Sequence, residues 1–121
     1  MARILLAEDD DSLRVFLTAN LGRAGHEVSS HDNGDSAWDA LERSSFDLLL
    51  TDIVMPGEMD GRDLARVAVT RRPTLRILLT SGFPVARWGG STQPTGGRLL
   101  SKPYRKEELR RAVRDVLDDP R

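Results

Sequence analysis

The chain has 121 residues, a length that fits one domain around a single core and leaves no room for a second functional module. Its 18 Lys and Arg are set against 19 Asp and Glu, so no global basic bias draws it toward nucleic acid, and any anion site has to be local. There is no cysteine, which excludes disulfides, thiolate metal sites and cysteine nucleophiles.

The apolar start, Ile4 to Ala7, is far too short for a secretory core or a membrane span, so a cytoplasmic protein without membrane contact is expected. Arg3 to Ala7 predicts a short strand that stops at Glu8, Asp9, Asp10 and Asp11. From Ser12 onward Leu13, Phe16, Leu17, Leu21 and Ala24 share one helical face, with Gly25 after the end. His26 to His31 gives a second strand, Asp32-Asn33-Gly34 a turn, and Ala37, Ala40 and Leu41 the inner face of a second helix.

Residues 46–51 then form an apolar run with the composition of a strand buried on both faces. It ends abruptly at Asp52. After a turn at Met55-Pro56-Gly57, Leu64, Ala65, Val67 and Ala68 predict a third helix, closed by Arg71-Arg72-Pro73. Leu75 to Thr80 is a fourth strand, ending at Thr80-Ser81-Gly82. Residues 83–98 carry four glycines and two prolines where a fourth helix is due, so at most one helical turn is expected there. Leu99 to Ser101 resumes as a short strand before Lys102-Pro103, and Leu109, Ala112, Val113, Val116 and Leu117 mark the last helix. This β-then-α repetition predicts an α/β fold, a five-stranded parallel sheet wound with helices on both faces.

In a parallel sheet every strand's carboxyl end lies along one edge, where open α/β folds bind ligands. Glu8, Asp9, Asp52, Thr80, Ser81 and Lys102 converge there. Crowded carboxylates repel, and a hard divalent cation with oxygen ligands relieves them. Mg²⁺ suits the set best, because it keeps waters and accepts a phosphoryl oxygen. A carboxylate can itself be the nucleophile, giving an acyl phosphate, while an ammonium and a hydroxyl hold the other phosphoryl oxygens.

These residues resemble the receiver domains of two-component response regulators over nearly the whole chain. The matching motifs are Glu8-Asp9 after the first strand, LLLTDIVMP…MDG from Leu48 to Gly61, Ser81-Gly82 after the fourth strand and Lys102-Pro103 after the fifth. Residues 3–65 are especially similar to stand-alone receivers that serve as adaptors for an ATP-dependent protease, whereas LTSGF…RLLSKPY is similar to receivers of hybrid histidine kinases. The resemblance implies a flavodoxin-like (βα)₅ fold with strand order 2-1-3-4-5. It also implies Asp52 as phosphoacceptor, Ser81 as switch hydroxyl and Lys102 as the phosphoryl-binding ammonium, followed by a cis bond to Pro103. Glu8, Asp9, the Asp52 carboxylate and the Val54 carbonyl would hold Mg²⁺, or Mn²⁺ in its place. The implied partners are a histidine kinase or histidine phosphotransfer protein and a downstream protein. The implied activity is that of a switch rather than a turnover enzyme. A relay intermediate or phosphate sink, and an adaptor that binds its partner while unphosphorylated, are the alternatives.

Several positions depart from the family pattern. Glu8 stands where Asp is commoner, its added methylene favouring a water-mediated contact with the metal. The loop after Pro56 is one residue longer, through Gly57-Glu58. Leu99 replaces the aromatic residue whose rotation reports phosphorylation, and the fourth helix is eroded. Val54 and Phe83 are apolar where fast receivers carry groups that orient an attacking water, so slow self-dephosphorylation is expected.

Other residues have plainer readings. Asp10 and Asp11 fit a helix start better than a ligand set, and the acid run lacks the Gly and Glu of an EF-hand. Thr80 is the neighbour with which Ser81 could be confused. His26 and His31 have no ligand partners and are expected at the surface or half-buried. Trp38 and Trp88 fit core packing better than an interface. The cations of the last helix, from Arg105 to Arg114, fit a solvated face.

Overall fold

The computed structural model describes residues 2–82 and 98–118. Phe83, Trp88 and the segment where a shortened fourth helix is expected lie outside them. Nine elements follow one another along the described residues: β1 (Arg3–Ala7), α1 (Asp11–Arg23), β2 (Glu27–His31), α2 (Gly34–Arg43), β3 (Leu48–Asp52), α3 (Gly61–Arg71), β4 (Arg76–Ser81), β5 (Arg98–Ser101) and α4 (Lys106–Asp118). The strands form one sheet in the order β2-β1-β3-β4-β5, every pairing parallel. This is the expected doubly wound arrangement.

Side-chain alternation splits the core in two. Leu5, Ala7, Leu49, Ile77 and Leu79 pack with Ala37 and Leu41 of α2 and Leu64, Ala65 and Ala68 of α3. Ile4, Leu6, Leu48, Leu50 and Leu78 face the other way, toward Leu17 and Leu21 of α1 and Leu109, Val113 and Val116 of α4. The central strand β3 is buried at all five positions, as an apolar run covered on both faces must be. Burying a Leu or Ile side chain contributes about 1.5–3 kcal/mol, so these two layers dominate the fold's stability.

The third strand begins later than its apolar run suggests, at Leu48 rather than residue 46. Phe46 is half-buried beneath the Arg3 guanidinium, 5.2 Å from ring centre to Cζ, and the ladder with β1 starts at the Ile4–Leu48 pair. At its other end the strand runs through Asp52, which pairs with Thr80. The helix starts follow their caps. Asp10 accepts the Leu13 N–H, Asn33 that of Ser36, and Asp60 forms a reciprocal capping box with Asp63. Asp10 is therefore a cap, as its sequence context indicated. No helix among the described residues is long and apolar enough to cross a membrane.

Candidate functional site

Backbone hydrogen bonds carry the sheet past its formal ends. Glu8 N–H donates to the His31 carbonyl at 2.9 Å, Ile53 N–H to Thr80 at 3.0 Å and Lys102 N–H to Ser81 at 2.8 Å. Three adjoining strand ends are thus fixed in register, and the side chains just beyond them meet. Continuing the alternation of β3 and β4 places Asp52 and Thr80 on the α1/α4 side and Ser81 on the other. The peptide between Lys102 and Pro103 is cis, as the family resemblance implied.

Lys102 Nζ lies 3.2 Å from Glu8 Oε1 and 3.1 Å from Asp52 Oδ2, bridging two carboxylates that are 1% and 8% exposed. Asp9 is exposed, yet offers an oxygen within 4.8 Å of those of Glu8 and Asp52. Glu8 Oε2 accepts the Asp10 N–H at 3.1 Å, and Arg14 donates to the Glu8 carbonyl at 2.9 Å. The Val54 N–H favours the charged form of the Asp52 carboxyl, while the Val54 side chain is 51% exposed.

Burial pushes the Asp52 carboxyl up; the Lys102 ammonium and the Val54 N–H oppose this, and Asp9 adds repulsion. Glu8 is also raised, first by burial and then by Asp52, against the pull of the Asp10 N–H and Lys102. Burial alone would lower Lys102, but the two carboxylates outweigh it and its net shift is upward. One ammonium therefore leaves this cluster electrostatically unrelieved. Three hard oxygen donors, two of them buried and disfavoured as anions, fit a small divalent cation.

Two glycines that the sequence named, one in the MDG motif and one in a turn, make the site possible through a close approach that neither reading contained. A Cβ on Gly61 would fall 1.8 Å from the Asp52 carbonyl oxygen, and one on Gly34 would fall 2.5 Å from that of Met59. Gly61 N–H also donates to the Ile53 carbonyl at 2.8 Å, clamping the start of α3 onto the turn after Asp52. Gly57 sits at φ 96°, in the left-handed region that glycine tolerates, within the extended loop. The signal for Gly61 was its place at the start of a helix, immediately after the N-cap Asp60. The close approach itself is a long-range contact that spacing does not reveal.

The remaining candidates separate. Ser81 and Thr80 are each 1% exposed, Leu99 packs against the α2/α3 core, and Trp38 is half-buried there. His26 accepts the Ala2 N–H at 3.1 Å, and His31 lies between Ser29 at 2.9 Å and Ser36 at 2.7 Å. Neither histidine belongs to the acidic cluster. On α4, Arg111 and Arg114 are exposed as expected, but Arg110 is half-buried.

The response regulator receiver domain model matches residues 4–114. The chain belongs to the response regulator receiver family. Among characterised relatives it is 47% identical to the response regulator receiver protein CpdR of Brucella abortus, over 97% of this chain and 98% of that one. A response regulator receiver protein from Sinorhizobium medicae superposes with a TM-score of 0.86 at 31% identity, covering 96% of this receiver and 94% of the other chain. The response regulator TrrA of Thermotoga maritima, solved in complex with Mg²⁺-BeF, superposes with a TM-score of 0.84 at 26% identity, covering 96% and 99%.

Proposed function

We propose that this receiver is a phosphoacceptor switch of a two-component or phosphorelay pathway, phosphorylated on Asp52 from a phospho-histidine of a histidine kinase or phosphotransfer protein. The observation that carries this reading is the Lys102 ammonium held 3.1 Å from Asp52 and 3.2 Å from Glu8 at the carboxyl edge of the sheet. In the transfer an Asp52 carboxylate oxygen attacks phosphorus as the P–N bond to imidazole breaks, and that bond's electron pair stays on the imidazole nitrogen. The products are an acyl phosphate and a free histidine. Lys102 binds an equatorial phosphoryl oxygen, the Val54 N–H remains beside the acceptor, and Ser81 supplies a hydroxyl. Glu8, Asp9, Asp52 and the Val54 carbonyl would hold Mg²⁺, which neutralises charge on the phosphoryl oxygens.

Mass spectrometry after treatment with acetyl phosphate and Mg²⁺ tests the chemistry. One added phosphate is expected, absent from Asp52→Ala. An unmodified wild type, or equal labelling of the variant, would reject it. The phosphoryl group is long-lived in this reading, because the solvent-facing Val54 beside Asp52 cannot orient a water. Val54→Asn is expected to shorten the phospho-form's half-life severalfold, and an unchanged half-life would remove Val54 from the account.

The near full-length similarity to CpdR on both chains supports a second reading of the output, an adaptor that binds a protein partner while unphosphorylated. Partner retention that is lost with acetyl phosphate in wild type but kept in Asp52→Ala is the expected pattern. Equal retention with and without the phosphodonor would exclude phospho-control.

A further inference from the structure

Arg14 stands where electrostatics argues against a cation. It lies in the first turns of α1, which starts at Asp11, where the helix dipole disfavours positive charge. Its guanidinium also reaches back past the N-cap toward the proposed cation site. The side chain is nevertheless held there: it is 22% exposed, Nη2 pairs with Asp11, and Nη1 donates to the Glu8 carbonyl at 2.9 Å. The pair with Asp11 explains little, since that carboxylate is 85% exposed and exposed ion pairs add little stability. The carbonyl is a stronger reason. It belongs to a residue only 1% exposed, and a buried carbonyl stripped of its donor is disfavoured.

The peptide whose oxygen Arg14 holds is the one that joins Glu8 to Asp9. Before it, the Glu8 N–H is fixed on the His31 carbonyl; after it, Asp10 gives its N–H to Glu8 Oε2 and caps α1 through its side chain. Asp9 lies between these anchors, exposed, and among the described residues no donor holds its carboxylate. It still offers an oxygen within 4.8 Å of those of Glu8 and Asp52. The backbone therefore aims Asp9 at the cluster, and Arg14 fastens the peptide immediately before it. We propose that Arg14 is a positioning residue of the metal site, its guanidinium clamping the Glu8–Asp9 peptide so that the Asp9 carboxylate is preorganised for a divalent cation. A planar guanidinium suits this task, because separate donors serve Glu8 and Asp11 and tie the start of α1 to the end of β1.

The inference rests on the proposed Mg²⁺ site but not on phosphorylation, and calorimetric titration of the unphosphorylated protein with Mg²⁺ tests it. Charge and positioning predict opposite signs. Removing a cation beside the site relieves repulsion and tightens Mg²⁺ binding, whereas loosening the Glu8–Asp9 peptide weakens it. Arg14→Met keeps the apolar stem without donor or charge, and is expected to bind Mg²⁺ about tenfold more weakly, the lower end of what residues that orient metal ligands contribute. Equal or tighter binding would overturn the inference. Arg14→Gln, too short to reach the carbonyl and a good helix former, carries the same expectation and the same refutation if the methionine variant is unfolded at the titration temperature.

Two controls separate the carbonyl bond from its surroundings. Arg14→Lys keeps the charge and one donor and should recover affinity to within about threefold of wild type; binding as weak as that of Arg14→Met would assign the loss to packing and overturn the proposal. Asp11→Asn leaves the carbonyl bond in place and should also stay within about threefold; a loss as large as that of Arg14→Met would assign the effect to the ion pair and overturn it too. The Asp9 amide shares its peptide with the Glu8 carbonyl, so its nitrogen resonance is expected to shift in metal-free Arg14→Met. An unmoved resonance beside weakened binding would refute the clamp. A wild type that binds no Mg²⁺, or binds it equally after Asp52→Ala, would reject the metal site and the inference with it, whereas wild-type binding left unchanged in Arg14→Met would reject the inference alone.

Discussion

Asp47 and Asp52 stand at the two ends of the same buried strand, and their surroundings give them opposite characters. Asp47 is exposed, and its Oδ2 accepts the Arg3 N–H at 2.8 Å. Its own N–H reaches the Arg3 carbonyl at 2.8 Å, and its carbonyl accepts from Arg76 at 3.2 Å. Every polar group of Asp47 named here serves the sheet. Asp52 is 8% exposed and raised by burial, sharing one ammonium with a second buried acid. The amino edge satisfies its charges with backbone, while the carboxyl edge concentrates charges that the backbone does not satisfy. A cleft of about 880 Å³ at the amino edge, lined by Ala2, His26, Phe46, Arg76 and Arg110 among others, is thus remote from the chemistry. Concavity alone is a poor guide in this receiver, since its site is defined by unrelieved charge.

The largest expected break in this contrast comes from Gly61→Ala. The added methyl would collide with the Asp52 carbonyl, and moving backbone is costly, so we expect a loss of about 3 kcal/mol or more in chemical denaturation. Loss of the Mg²⁺ response should accompany it, because the turn after Asp52 is displaced.

A smaller effect sharpens the contrast. Asp52→Asn is expected to stabilise the protein at pH 7, whereas Asp47→Asn should destabilise it, each by on the order of 1 kcal/mol. The sign at Asp52 follows from its raised carboxyl. The folded state holds the proton more tightly than the unfolded chain, so the associated stability is full below the ordinary value of 3.8 and is lost as pH rises through the folded value. The gain from Asn should therefore vanish in melting curves below about pH 4. A gain that persists there would assign it to packing.

The smallest effect concerns β2, whose last carbonyl fastens Glu8. Burial lowers His31, Arg43 adds to this and Asp32 opposes it. With a folded value below the ordinary 6.5, its contribution is full above that pH and is lost as pH falls toward the lowered value. His31→Gln should reduce the acid-side loss of melting temperature between pH 7 and 5 by a few tenths of a kcal/mol. Part of the slope will remain, because His26 is lowered in the same direction by burial and the amino terminus.

Much of this was legible in the chain. The apolar runs, the helix start at Asp10 and the alternation of strand and helix determine an α/β sheet, because hydrophobic periodicity and capping are local properties. The separated motifs at Glu8-Asp9, Asp52, Ser81 and Lys102 were likewise readable, since the ends of parallel strands must share an edge. Other features required the third dimension. The ladder from Ile4–Leu48 to Asp52–Thr80 set the limits of the third strand, and the meeting of Gly61 with the Asp52 carbonyl fixed its turn. The sharing of Lys102 by two buried acids is also a tertiary fact. Sequence by itself determined which groups reach the edge. Only the packed structure decided which of them are desolvated, because burial depends on neighbours distant in the chain, and desolvation is what separates Asp52, a candidate for chemistry, from the exposed Asp47 just before β3, which serves the sheet.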